Sequence, residues 1–245
     1  MPLIIGLAGT IAAGKSTVGQ LLVEHGAVHC DADKLVHTLY FPGTPGYDRV
    51  VAAFGQEVVG ADGYVDRKIL GSKVFGKPDD MNKLTTAIGS ISEAIKGVID
   101  VWRIELGADD IGVMEAVNLM EPGYANWCDQ TWLIAVDDDI ARARLLETRG
   151  MADAEISQRL KSMVPAAVRA PGADWVHYNN GTRDELSAAV DGELARVREL
   201  HGTGELAASV FKSWWEPYIE KRRAEMEKSG VTLPGGMPRM ETKST

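Results

Sequence analysis

Five short apolar runs, at residues 3–7, 27–30, 111–114, 131–136 and 175–178, are separated by longer stretches whose apolar residues return every three or four positions. A run that is apolar at every position suits a strand buried on both faces, and the wider spacing traces one face of a helix. The pattern predicts an α/β fold: a parallel sheet flanked by helices, with its ligand at the carboxyl ends of the strands. Between Pro42 and about Asp109 the alternation stops. Turn signals at Pro42-Gly43, Pro45-Gly46, Asp62-Gly63 and Lys77-Pro78 punctuate a mostly helical stretch, which predicts a helical lobe inserted over residues 42–109. Residues 138–170 carry Arg142, Arg144, Arg149, Arg159 and Lys161 on two helical segments hinged at Gly150. Such a cluster reads either as two solvated faces or as a basic lid.

Past residue 204 the chain changes character. Val210, Phe211, Trp214, Trp215, Tyr218 and Ile219 follow helical spacing, so residues 205–230 are expected to hold a helix of about 20 residues, interrupted or begun near Pro217. Its tryptophans suit a helix docked on its own domain, or a homo-oligomer assembled through that face, better than a base-stacking platform. After Ser229 the composition turns to Gly, Pro, Met and Thr, which predicts a disordered tail over residues 231–245. The expected organisation is thus a core of residues 1–204 bearing lobe and lid, then a helical extension and the tail.

The chemistry is concentrated where the first strand meets the first helix. Gly9-Thr10-Ile11-Ala12-Ala13-Gly14-Lys15-Ser16-Thr17 fits the phosphate-binding pattern G-x-x-x-x-G-K-S/T with an apolar run before it and an amphipathic stretch after it. In that context the glycines let backbone N–H groups from Ile11 to Ser16 form a nest for phosphate. Lys15 supplies a point charge to the β/γ oxygens, and Ser16 a hydroxyl for Mg²⁺ at a helix N-terminus. The competing reading is a Gly-rich strand-to-helix turn with no ligand. The next strand leads into Asp31-Ala32-Asp33, where a carboxylate can take a proton from an acceptor hydroxyl. Asp33 is the candidate base; Asp31 reads equally as a helix N-cap. Glu115, at a third strand end, could hold Mg²⁺ through water or be a satisfied buried carboxylate.

These residues resemble the dephospho-coenzyme A kinase family. The opening Gly6-Leu7-Ala8-Gly9 through Thr17 follows the family's phosphate loop, and Asp31-Ala32-Asp33 its D-A-D. The turn Pro42-Gly43-Thr44-Pro45-Gly46, the segments Phe54-Gly55 to Val58 and Asp62-Gly63-Tyr64-Val65-Asp66-Arg67 to Leu70, and Val74-Phe75-Gly76-Lys77-Pro78 follow in order. Arg144-Leu145 to Arg149-Gly150 matches its lid, and Ala173-Asp174-Trp175-Val176-His177-Tyr178-Asn179-Asn180-Gly181 its last strand and turn. The resemblance implies a P-loop NTPase fold with an inserted substrate lobe and a helical lid, ATP and Mg²⁺ as cofactors, and phosphorylation of the ribose 3′-hydroxyl of dephospho-CoA. It also implies that Lys15, Asp33, Arg144 and Arg149 are catalytic, that residues 11–17 hold the phosphates, and that Asn179 and Asn180 lie by the adenine edge, unless that Asn-Asn-Gly is merely a turn. The family's His-Pro at the start of the lobe's long helix is absent from Ala87-Ile88-Gly89-Ser90-Ile91-Ser92. Glu115-Ala116-Val117-Asn118-Leu119-Met120-Glu121 keeps both acids of its strand end but loses the proline. The donor side is intact and the acceptor side altered, so a kinase of another nucleotide or nucleoside is the first alternative and a non-catalytic nucleotide switch the second.

Composition narrows the partners. With 35 acidic against 26 basic residues and a net charge of −9, extended nucleic acid is a poor fit, while a small anion in a basic pocket is compatible. The two cysteines, Cys30 and Cys128, have no metal-type spacing and read as apolar fillers. No apolar run reaches the roughly 18 residues of a membrane span, and the first run lacks a basic approach. The expectation is a cytoplasmic enzyme with a small-molecule substrate and no membrane contact.

Overall fold

The computed structural model describes residues 1–229. The tail expected over residues 231–245 lies outside them. Five parallel strands, β1 (Leu3–Gly9), β2 (Val28–Asp31), β3 (Ile111–Glu115), β4 (Gln130–Ala135) and β5 (Trp175–Tyr178), form one sheet in the order β2-β3-β1-β4-β5. The sheet is parallel throughout, and its register sets Leu7 and Asp31 beside Glu115, and Gly9 beside Ile134. Central β1 is buried at every position, as a strand covered on both faces requires. Its Leu3, Ile5 and Leu7 pack with Val18, Leu21 and Leu22 of α1 (Lys15–Glu24) and with Leu186, Val190, Leu194 and Val197 of α10 (Arg183–Thr203). Because the chain leaves β1 toward β2 on one side and later returns to β4 on the other, the crevice at the ends of β1 and β3 opens at a topological switch point.

The described chain divides into two compact units: Met1–Asp31 with Ile99–Lys221, and Ala32–Val98 with residues 222–229. The second unit contains α2 (Ala32–Thr38), α3 (Pro45–Phe54), α4 (Arg67–Val74), α5 (Pro78–Ile88) and the first half of α6 (Ile91–Glu105). It begins earlier than the expected 42–109 because Val36 and Tyr40 join an apolar cluster with Val50, Phe54, Val58, Leu70, Val74 and Ile88. It also ends earlier. From Ile99 onward α6 belongs with the sheet: Trp102 lies against Gly112, and Arg103 donates to both Asp129 oxygens at 2.8 Å. Two of the quoted motifs are helix starts. Thr44 Oγ1 accepts from the Tyr47 N–H at 3.2 Å ahead of Pro45, and Asp66 Oδ1 accepts from the N–H groups of Lys68 and Ile69.

The basic segment forms α7 (Asp138–Arg149) and α8 (Asp153–Ser162), parted by Gly150 in the left-handed region at φ 57°. Arg142 ties them together through Asp153 and Ser157. A short helix, α9 (Ala166–Arg169), leads back to β5. The last described element is α11 (Phe211–Ser229), one helix with Pro217 in its interior. Its Phe211, Trp215 and Ile219 are buried against the first unit, so the aromatic face considered above for an oligomer contact is covered within its own chain. Cys128 is buried, which pushes its thiol up to about 12, as suits a filler; Cys30 is only partly buried. No described helix is long and apolar enough to cross a membrane.

Candidate active site

The loop between β1 and α1 owes its shape to backbone conformation. Ala12 is the single described non-glycine residue with positive φ, at 57°, and Gly14 follows at 91°. Alternating hand along successive residues turns N–H groups to one side and produces an anion nest. Gly14 is the N-cap of α1 and offers no side-chain oxygen, so no side chain occupies the helix's first N–H groups. One of the expected donors is engaged by the backbone, the Ala13 N–H going to Thr10 O, and just past the row the Thr17 N–H goes to Gly14 O. Within the expected row of N–H donors from Ile11 to Ser16, Ala13 is thus the position already engaged. The N–H groups of Ile11, Ala12, Gly14, Lys15 and Ser16 have no backbone acceptor among the described residues.

Beneath the nest lies a buried charge network at the end of β3. Lys15 Nζ stands 3.3 Å from Glu115 Oε1, Ser16 Oγ donates to the same oxygen at 3.4 Å, and His29 Nε2 lies 2.9 Å from Glu115 Oε2. Lys15 and Glu115 are 12% and 5% exposed. Burial pushes the Glu115 carboxyl up, but the His29 hydrogen bond and the Lys15 charge outweigh it and hold the group below its ordinary range. Glu115 is thus a buried carboxylate satisfied by Lys15, Ser16 and His29, with its charged form favoured. His29 was not singled out from the sequence. Its partner is 86 residues away in the chain, and only the pairing of β2 with β3 brings the two together.

The remaining expected residues fall into three groups. Arg144, in α7, donates to Ala12 O at 3.2 Å and Gly181 O at 3.5 Å, and with Ser16, Thr17, Asn179 and Arg183 it lines a cavity of about 400 Å³. Buried Asn179 donates to Ala13 O at 2.9 Å and lies against Gly14, so it clamps the loop from β5. Asn180 engages Asp137 with both ends of its amide, accepting from its N–H and donating to its carboxylate. Its amide thus ties the loop after β5 to the loop after β4, as the turn reading of Asn-Asn-Gly expects. Arg149 is exposed at the last position of α7. In the second unit, Asp33 stands exposed in the first turn of α2, while Asp31 ends β2 in the first. That unit has its own cavity of about 400 Å³, lined by Lys34, Arg67, Tyr40 and an edge-to-face pair of Phe41 and Tyr64.

One buried charge next to the loop escaped the sequence entirely. Arg169, at the end of α9, is 1% exposed and reaches Glu121 Oε1 at 2.5 Å and Gly9 O at 3.3 Å. Nothing in its sequence neighbourhood distinguishes it from the solvated arginines of the basic segment.

Comparison with known proteins agrees with this geometry. A family model described as dephospho-CoA kinase matches residues 3–185. A dephospho-CoA kinase of Geobacter sulfurreducens is 35% identical over 190 residues, covering 77% of this chain and 95% of that one, and one from Geobacter metallireducens is 37% identical over 192 residues, covering 77% and 93%. Among solved structures, that of TT1252 from Thermus thermophilus superposes with a TM-score of 0.65 at 26% identity, over 80% of this chain and 98% of that one. A phosphate nest with its lysine at the switch point of a β2-β3-β1-β4-β5 sheet, and relatives matched over nearly their whole length, place the chain in the dephospho-CoA kinase family.

Proposed function

We infer that the nest and the Lys15–Glu115–His29 network form the donor half of an ATP-dependent phosphotransferase. The chain transfers the γ-phosphoryl group of ATP to the ribose 3′-hydroxyl of dephospho-CoA, the last step of coenzyme A synthesis, and works in the cytoplasm. The observation that carries the reading is Lys15 Nζ held 3.3 Å from Glu115 Oε1 next to five N–H groups without backbone acceptors among the described residues. Phosphoryl transfer has a loose transition state with its charge on three equatorial oxygens, so positioned donors and cations do most of the work. Lys15 takes the β/γ oxygens; the N–H groups of Ile11, Ala12, Gly14, Lys15 and Ser16 take the remaining phosphate oxygens. Arg144, Arg183 and Asn179 form the wall along which the nucleotide lies, and Arg149 closes over the transferring group from the end of α7. The Asp33 carboxylate accepts the proton of the attacking hydroxyl.

Among the described residues no cluster of three or more His, Cys, Asp or Glu is placed to hold a metal. Kinase Mg²⁺ keeps several waters and leans on substrate phosphates, so one hydroxyl and one nearby carboxylate are an adequate protein share. Ser16 Oγ would hold it directly and Glu115 through water; their 3.4 Å separation fits that division. When bound, the ion neutralises charge between the β- and γ-phosphates. On the acceptor side, Lys34 and Arg67 offer cations for a pyrophosphate, and the exposed Phe41–Tyr64 pair a face for a purine.

The decisive measurement is ADP release from Mg·ATP with and without dephospho-CoA. Release should rise steeply with the acceptor and saturate. Slow hydrolysis indifferent to dephospho-CoA would indicate a nucleotide switch, and stimulation by another nucleoside alone a different acceptor.

A further inference from the structure

The extension α11 begins well beyond residue 185, where the family model stops, yet its first half is built into the sheet unit. Asp174 anchors its start, accepting from Val210 N–H at 2.9 Å and Ser209 Oγ at 2.6 Å while also holding the Thr131 N–H at the foot of β4. Two glycines then receive the tryptophans. A Cβ on Gly123 would lie 2.5 Å from the Trp215 ring, and one on Gly172 2.4 Å from Trp214. Each indole N–H reaches a carbonyl: Trp215 to Glu121 O and Trp214 to Val168 O, both at 3.1 Å.

Those two carbonyls flank the buried ion pair. Glu121 provides the carboxylate, and Arg169 follows Val168 directly. From Arg169 a second bond runs to Gly9 O, at the first residue of the phosphate loop. Gly9 in turn lies under Lys15: a Cβ there would meet Lys15 Cγ at 2.5 Å and Ile134 O at 2.8 Å. A continuous line of contacts therefore joins the α11 tryptophans to the lysine stem. A buried arginine–carboxylate pair is a weak stabilising device, because desolvation offsets its attraction and apolar residues of similar volume do as well or better. This pair is not fully satisfied either, since Glu121 Oε2 finds no partner among the described residues. What the pair does provide is direction, because a guanidinium fork can hold a carboxylate and a carbonyl in one fixed geometry.

We propose that α11 is a brace for the phosphate loop, in which Trp215, Glu121 and Arg169 are positioning residues that set Lys15 through Gly9. The proposal rests on Lys15 serving the ATP phosphates, as argued above. A misplacement of about 1 Å at such a group costs on the order of a hundredfold in rate, so small relaxations of the line are visible kinetically.

The test uses the full chain with Trp215→Phe, which keeps the ring but loses the N–H, and Arg169→Lys, which keeps the charge but loses the fork. Exposed Lys212 on the same helix, as Lys212→Ala, is the control. Thermal midpoints are measured first, and kinetics are then run well below the lowest of them. Both variants should lose about tenfold or more in kcat and bind a fluorescent ATP analogue several-fold more weakly in the absence of acceptor, while Lys212→Ala behaves as the parent. Variants that melt earlier but keep kcat and analogue affinity within about twofold at the assay temperature would reduce α11 to a stability element and overturn the proposal. If Arg169→Lys does not fold, Trp215→Phe decides alone. Should the parent chain show no dephospho-CoA-stimulated turnover, analogue affinity still reads the brace, so failure of the activity and failure of the brace are separable.

Discussion

At the scale of single residues, the two carboxylates after β2 make a sharp test. Asp33→Asn keeps shape but cannot take a proton, so turnover should fall by about 10²- to 10⁴-fold with ATP affinity nearly kept. Asp31→Asn should cost far less. Steady-state kinetics with saturating ATP separates the two, and the reverse order would exchange their roles. Lys15→Ala removes the nest's own full positive charge and should lower kcat by about 10²- to 10³-fold, measured in the same assay. Lys15, Ser16 and Asp33 could be proposed from the sequence because the signals for them are local: a glycine pattern, a helix start and a strand end lie within a few residues. His29 and Arg169 were illegible because each meets a partner that only folding delivers, Glu115 for one and Glu121 with Gly9 for the other.

At the scale of elements, α7 carries two arginines in different surroundings. Arg144 already bonds Ala12 O and Gly181 O, whereas Arg149 stands exposed at the helix end beside Gly150. A cation that engages only after closure stabilises chiefly the transition state. Arg149→Ala should therefore lower kcat more than it raises the KM for ATP, and equal effects would make it a ground-state ligand. The other elemental prediction concerns α11. Deleting the chain after Gly204 uncovers the surface now buried by Phe211, Trp215 and Ile219. At about 1.5–3 kcal/mol for each buried side chain, and about 2–4 °C per kcal/mol for a chain of this size, differential scanning calorimetry should show a midpoint lower by more than about 10 °C. An unchanged midpoint would mean the helix does not dock in solution.

For the whole molecule, the buried network makes stability depend on acid in a defined window. Folding lowers the Glu115 pKa below its ordinary value of 4.5, so folding favours the ionised form. Its contribution is complete above that value and is lost as pH falls through the lowered one. Other carboxylates titrate in the same range, so the informative quantity is the difference in melting temperature between the parent and Glu115→Gln. That difference should be constant from about pH 7 to 5 and shrink below about 4.5. A difference that grew on acidification would mean that Glu115 is neutral in the folded chain.

The chain by itself determined the alternation of strands and helices, the phosphate loop, the helical character of the lobe and the hinge at Gly150, because periodicity, turn chemistry and backbone conformation are properties of neighbouring residues. The lobe's limits were misread by about one helix at its start, since α2 reads as a helix from sequence but chooses its unit only by where Val36 and Tyr40 find apolar partners. Asn180 read from the sequence either as an adenine-edge residue or as part of a turn, and only the fold showed that its amide holds Asp137. The tryptophans announced a docking helix without saying what it docks on; two glycines with room for indole rings, at positions 123 and 172, decided that. Which carboxylate faces Lys15, which histidine supports it and which arginine holds Gly9 depended on strand order and register, where residues far apart in the chain become neighbours and low local dielectric makes each pairing count.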